Sequence, residues 1–308
     1  MSLWPDEYEE LRAEARALTP SVVEAMDLTG PPGEDLATKL ARIRQGIAEL
    51  VPASPDGVDE VVGGVPCRVF RHPEPRGTYL QIHGGAFMFG SPRMDDLANA
   101  AVGKDVGVTV VSVDYRMAPE HPFPAGGDDC LAVAAALLDG GKSRLLIGGE
   151  SAGGTHAATT AVRIRDELGR IDRVAGLNLE YGLYDFSQTP SRRGVRPSDL
   201  PDVIGRDHDE VVGAYLPGHS VAELSDPACS PLYADLTGLP PALFTVGHAD
   251  HLLDDSLFMA ARWKAWGNEV ELAVYPDCIH GFLRFPMALA ERARQRIHGF
   301  MDRCLGPA

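Results

Sequence analysis

The sequence predicts an α/β fold: an eight-stranded, mostly parallel sheet with helices on both faces. Three observations carry that prediction. From residue 78 onward, short apolar or β-branched runs alternate with segments of helical periodicity, the pattern of repeated βα units. Ahead of them, two strand-like runs meet at Gly63-Gly64, which reads as a hairpin. A length of 308 residues, 44% hydrophobic and 23% charged, suits a large globular body that needs neither disulfides nor a metal to fold.

The elements follow in order. Trp4, Tyr8, Leu11, Ala15 and Leu18 recur at spacings of four and three, one face of a helix; Leu36, Leu40, Ile43, Ile47 and Leu50 repeat the device. Thr29-Gly30-Pro31-Pro32-Gly33 breaks the chain between them, and 52–57 reads as a linker. Both helices precede any strand, so they must pack on something later in the chain. Strands are expected at 58–62, 65–71, 78–83, 108–114, 144–148, 173–179, 242–247 and 270–275. Helices are expected at 95–104, 124–138, 157–168, 252–266 and 286–304. Residues 183–225 break the rhythm. They are rich in Pro, Asp, Ser and Arg, with one helix candidate near 207–216, and an irregular insertion of that length is usually functional.

Composition narrows the classes of function. A net charge of −16 argues against nucleic-acid partners and anionic membrane surfaces. No run of about 18 apolar residues occurs, so no membrane span is expected. The acidic start lacks a basic stretch followed by an apolar run, so no signal peptide is expected and the expected location is cytoplasmic. The cysteines Cys67, Cys130, Cys229, Cys278 and Cys304 are scattered, without metal-ligand spacing, and read as free thiols. No metal or cofactor is expected.

One stretch organises the chemistry: Gly149-Glu150-Ser151-Ala152-Gly153-Gly154, between an apolar strand and an alanine-rich helix. A serine flanked by glycines two residues away on either side, at a strand-to-helix turn, is the nucleophile-elbow pattern. Side chains at Gly149 and Gly153 would collide with neighbouring backbone. The turn lifts the Ser151 hydroxyl above the sheet, where the helix's first N–H groups are open. A glycine-rich turn capped by serine explains the same residues, so partners must decide. Acyl transfer by serine needs a base, a group that orients the base, and donors for the oxyanion. In a parallel sheet such groups collect just past the strands. His83-Gly84-Gly85-Ala86-Phe87 follows the strand at 78–83; its glycine amides, with that of Ala152, suit an oxyanion hole, and His83 suits a structural role in that loop. Asp250 is the first acid past 242–247, with an N-cap as its plain alternative. Asp254 and Asp255 fall on the following helix, where facing solvent or capping is expected. His280 follows the last strand. The order Ser151, Asp250, His280 is the order this architecture requires.

With these residues in place, the sequence resembles the hormone-sensitive-lipase-like esterases, a branch of the α/β-hydrolase fold. The likeness spans about 78–285. It rests on His83 to Phe87, Asp114-Tyr115-Arg116-Met117-Ala118-Pro119-Glu120-His121-Pro122-Phe123-Pro124-Ala125, the elbow, Asp226-Pro227 with Ser230-Pro231-Leu232, Asp250 with Leu252 and Asp254, and Ile279-His280-Gly281-Phe282. The resemblance implies Ser151 as nucleophile, His280 as base, Asp250 as its orienter, and Gly84, Gly85 and Ala152 as oxyanion donors. Asp114, Arg116 and Glu120 resemble the family's structural turn. It implies a helical cap from 1–50 and 183–225 over a catalytic domain of 51–182 and 226–308. It also implies a small ester substrate with a short acyl chain, and a homodimer. An amide or an acetylated small molecule would use the same residues. Some relatives are receptors that have lost the histidine, which this chain retains at 280. Three positions depart from the pattern: Glu150 replaces the commoner Asp, His251 replaces a proline, and Glu180-Tyr181-Gly182 lacks one.

Overall fold

A computed structural model describes residues 3–25, 30–51, 53–140, 144–194 and 208–307. Thr29, Pro52 and the middle of the insertion, 195–207, lie outside them. All eight expected strands form, within two residues of their expected bounds: β1 Val58–Val62, β2 Val65–Phe70, β3 Gly77–Ile82, β4 Val108–Val113, β5 Arg144–Glu150, β6 Val174–Glu180, β7 Ala242–Gly247 and β8 Val270–Tyr275. Their spatial order is β1-β2-β4-β3-β5-β6-β7-β8. β2 runs antiparallel to β1 and β4, and the strands from β4 to β8 are mutually parallel. Gly63 and Gly64 join β1 to β2 with φ of +59° and +82°, the left-handed pair a two-residue hairpin requires.

Alternation along each strand feeds two apolar layers. Leu80, Ile82, Val111, Ile147, Phe244 and Trp263 fill one face. Tyr79, Val110, Leu146, Leu243, Phe300 and Met301 fill the other. The flanking helices are α3 Asp96–Val102, α4 Ala125–Asp139, α5 Ala152–Arg163, α7 Leu253–Ala265 and α8 Ala288–Leu305.

A third cluster lies past the carboxyl ends of the strands. Leu40, Phe87, Leu183, Phe186, Val211 and Tyr215 meet there, joining α2 (Leu36–Leu50) to α6 (His208–Tyr215). Phe87 stacks on Tyr215 at 4.1 Å between ring centroids. Lys39 and Glu210 pair at 2.8 Å across the two helices. Arg44 fixes α2 to the body by pairing with Glu120 at 2.7 Å and donating to the Met88 carbonyl at 2.9 Å. α1 (Arg12–Ala25) packs elsewhere. Arg12 and Arg16 reach the buried Asp277 carboxylate at 2.8 and 2.7 Å, and Tyr8 stacks on Tyr275. The first helix therefore anchors the loop after β8. Among the described residues, no helix is long and apolar enough to cross a membrane.

Two expectations need correction. The helix after the elbow starts at Ala152, not Ala157, so Gly153 and Gly154 lie in its first turn. Tertiary contact overrides glycine's poor helix propensity there: a Cβ on Gly153 would sit 1.9 Å from the Ile82 carbonyl oxygen. Asp255 neither faces solvent nor caps its own helix; it is fully buried. It accepts hydrogen bonds from Tyr184 N, Asp185 N and Thr189 Oγ1 at 2.7, 3.0 and 2.7 Å. Asp254 accepts one from Ser191 N at 2.8 Å. The irregular insertion starts over this face of α7 and supplies its donors, which helical periodicity alone does not reveal.

The closeness of Gly153 to β3 has a measurable consequence. Gly153→Ala should lower the free energy of unfolding in urea by at least the about 1–3 kcal/mol typical of overpacking, because the opposing atom is backbone. A wild-type midpoint would contradict so tight a turn.

Candidate active site

The elbow strains one residue to present it. Ser151 adopts φ +50°, ψ −119°, a conformation costing roughly 1–3 kcal/mol that persists only when its surroundings impose it. Its N–H donates to the Glu180 carbonyl at 2.9 Å, which ties the turn to β6. At Gly149 a Cβ would meet the Ile82 carbonyl oxygen at 2.4 Å. The hydroxyl stands at the start of α5.

The loops after β7 and β8 are bonded to each other. His248 N donates to the Tyr275 carbonyl at 2.8 Å, and Ala249 N to that of Cys278 at 2.9 Å. This pairing brings Asp250 and His280 together. His280 Nδ1 lies 2.9 and 3.0 Å from the two Asp250 carboxylate oxygens, and its Nε2 lies 3.0 Å from Ser151 Oγ. An ionised carboxylate only accepts, so Nδ1 carries the proton and Nε2 accepts from the serine hydroxyl. Asp250 Oδ1 also accepts from Leu252 N at 2.8 Å, which holds the carboxylate in place. Burial opposes charge on His280, but Asp250 beside it, and Glu150 farther off, carry its pKa above the ordinary imidazole value.

The loop after β3 forms the facing wall. His83 is fully buried and stacks on Tyr115 at 4.3 Å. Its Nδ1 donates to the Gly84 carbonyl at 2.7 Å, and Tyr115 Oη donates to the His83 carbonyl at 3.0 Å. Burial pushes the His83 pKa down to about 4, so the ring stays neutral. Gly85, Ala86 and Phe87 follow with φ of +123°, +52° and +64°. This left-handed run folds the loop back, so that Met88 N and Phe89 N both donate to the Gly85 carbonyl at 2.9 Å. Gly84, Gly85 and Ala152 line one cavity with Ser151 and His280.

Glu150 precedes the serine in the elbow. Its carboxylate accepts from Tyr181 Oη at 2.8 Å and from Arg284 Nε at 3.2 Å, and Arg284 continues to Asp95 at 2.7 Å. Burial would raise the Glu150 pKa, yet Arg284 and Tyr181 outweigh it and hold the group below the ordinary carboxylate value. Glu150 thus anchors the elbow through a buried ion pair.

The cavity encloses about 290 Å³. Ile47 of α2, Phe87, Leu183, Val211 and Leu252 give it apolar walls, and His251 and Arg192 add polar ones. Sequence reasoning noted His251 only as a departure and passed over Arg192, which belongs to no motif. The His251 ring lies 4.8 Å from that of His280. Asp250, His251 and His280 each place one ligand atom within 4.8 Å of the others, the one His/Cys/Asp/Glu group of this kind among the described residues. Two of those three are already bonded to each other.

The fold has counterparts among known proteins. The model of the alpha/beta hydrolase fold family matches residues 79–284. Carboxylesterase NlhH of Mycobacterium tuberculosis is 33% identical over 245 residues, 74% of either chain. An acetyl esterase of Salmonella paratyphi B is 28% identical over 247 residues, 76% of this chain and 74% of its own. The solved structure of a hormone-sensitive lipase from a metagenome library superposes with a TM-score of 0.77 at 28% identity, covering 99% of each chain.

His83 and His280 should titrate apart. In a histidine NMR titration from about pH 8 to about pH 5, His83 should stay neutral while His280 takes up its proton above the ordinary imidazole value. Protonation of His83 in that window would contradict its burial.

Proposed function

Since this chain belongs to the alpha/beta hydrolase fold family, as a hormone-sensitive-lipase-like esterase, we propose that it cleaves small carboxylic esters through an acyl-enzyme on Ser151. It is a carboxylic ester hydrolase. The observation that carries the mechanism is the unbroken hydrogen-bond chain Ser151–His280–Asp250, with contacts of 3.0 and 2.9 Å between groups from three strand ends.

Ser151 Oγ attacks the ester carbonyl carbon as His280 Nε2 takes its proton. Asp250 holds the imidazole in the tautomer that accepts at Nε2 and stabilises the imidazolium. The carbonyl oxygen becomes an oxyanion and draws on the amides of Gly84, Gly85 and Ala152. When the tetrahedral intermediate collapses, the C–O bond to the alcohol breaks and the alcohol leaves with the proton from His280. Water, deprotonated by the same nitrogen, then attacks the acyl-enzyme and releases the acid and Ser151. A cavity of about 290 Å³ favours short acyl chains, since ligand pockets run from roughly 300 to 1,000 Å³. The acetyl esterase relative is in line with that preference. Within the expected cap segments 1–50 and 183–225, α2 and α6 wall the cavity through Ile47 and Val211.

Ser151→Ala should lower kcat/KM on p-nitrophenyl acetate and butyrate by about 10⁴- to 10⁶-fold, and Asp250→Asn by about 10³- to 10⁴-fold. Equal turnover by wild type and Ser151→Ala would sink the assignment. The pH profile gives a second test. His280 must be neutral to act as base and its pKa is raised, so kcat/KM should fall as pH drops through a midpoint above about 6.5. In Asp250→Asn that midpoint should move down.

A further inference from the structure

Resting on the esterase reading, we propose that the substrate carries a carboxylate as well as the ester, and that Arg192 is the specificity residue that receives it. Arg192 lines the cavity that holds Ser151, Gly84, Gly85 and His280. Its Nη1 is buried with no hydrogen-bond partner, and no ion pair to it is found among the described residues. A guanidinium is never deprotonated in a protein and offers five donors; Arg192 is half-buried as a whole, and leaving its buried Nη1 unpaired is costly. Buried charges are paired unless something outside the chain pairs them.

Among the described residues, no carboxylate compensates this charge at contact range. Arg284, the other arginine on the cavity wall, is bonded to Glu150 and Asp95. Asp250 is committed to His280 and to Leu252 N. Asp255 and Asp185 act on Arg192 only through space. Asp255 is occupied by its three donors, and Asp185 by Ser187 N at 2.7 Å, Ser187 Oγ at 2.5 Å and Tyr233 Oη at 3.3 Å. Burial disfavours the charge on Arg192 and these two carboxylates support it. Arg192 also bears electrostatically on His280, so its charge lies within range of the reacting atoms.

One guanidinium without a partner among the described residues, in a cavity of about 290 Å³, matches a monoanion with two coplanar oxygens. A carboxylate takes it bidentately. A phosphate monoester dianion would bring twice the charge the site can balance. The carboxylate sits either on the acyl side, as in a dicarboxylic acid monoester, or on the alcohol side, as in an acylated hydroxy acid.

Matched ester pairs test this and separate the two sides. Monoethyl succinate against ethyl succinamate probes the acyl side. 3-Acetoxypropionate against 3-acetoxypropionamide probes the alcohol side. In one pair, wild-type kcat/KM for the carboxylate should exceed that for its carboxamide twin by at least about tenfold. Arg192→Gln should bring that ratio close to one, and Arg192→Lys should keep part of it. Each ratio is taken within one protein sample, so a loss of folded protein cancels. Ratios at or below one in both pairs, or a wild-type preference that survives Arg192→Gln, would overturn the inference. p-Nitrophenyl acetate turnover by the same wild-type sample separates this failure from that of the esterase reading: with turnover, only the role of Arg192 falls; with no ester hydrolysed at all, both fall.

Discussion

The site depends on how closely the ends of β3 and β5 approach one another. Ile82 of β3 pairs with Gly149 of β5 in parallel register. The Ile82 carbonyl lies where any side chain on Gly149 or Gly153 would have to go. That contact is possible only with glycine at both positions, and the turn between them holds Ser151 at φ +50°. The same register makes the His83-Gly84-Gly85 loop leave β3 beside the elbow leaving β5. Farther along the sheet, Glu150 pairs with Glu180, Glu180 with Thr245, and Gly247 with Tyr275. The strand ends therefore lie level, and the loops they emit face one another across a few ångströms.

Charge is handled differently beside the elbow and on the wall that the insertion supplies. Beneath the serine, Glu150, Arg284 and Asp95 neutralise one another in a buried chain that also holds Tyr181. Such a network costs desolvation but fixes geometry, because every member has a partner. The same logic holds for Asp250 and His280. Arg192 breaks it, and it belongs to the segment whose composition departs furthest from the rest of the chain. The proposed catalytic groups rest on strand ends, which suits precision. The group that selects the substrate rests on the irregular segment, which suits variation.

Much of this was legible in the sequence because it rests on local signals. Each strand is a β-branched or apolar run bounded by turn residues, and the hairpin carries its Gly63-Gly64 turn. Ser151, Asp250 and His280 were legible through chain order, since each follows a strand that a parallel sheet must place at one end. What escaped was set by packing between distant segments. The true start of α5 was hidden because Gly153-Gly154 reads as a turn by propensity, while contact with Ile82 makes glycine obligatory in a helix. Asp255 looked solvent-facing because nothing on its own helix shows that Tyr184 and Asp185 will donate to it. The Glu150–Arg284 pair spans 134 residues and has no periodic signature. Arg192 is one arginine in a charged insertion, and only its place on the cavity wall distinguishes it.

The central claim is that the ester is cleaved by covalent transfer to Ser151, and trapping the intermediate tests it most directly. Wild-type protein is mixed with p-nitrophenyl butyrate, quenched in acid within the first turnover, and digested for mass spectrometry. The account predicts one butyryl group on the peptide containing Ser151, formed with a burst of p-nitrophenol and absent in Ser151→Ala. A butyryl group on another residue, or turnover with no burst and no acylated peptide, would contradict it.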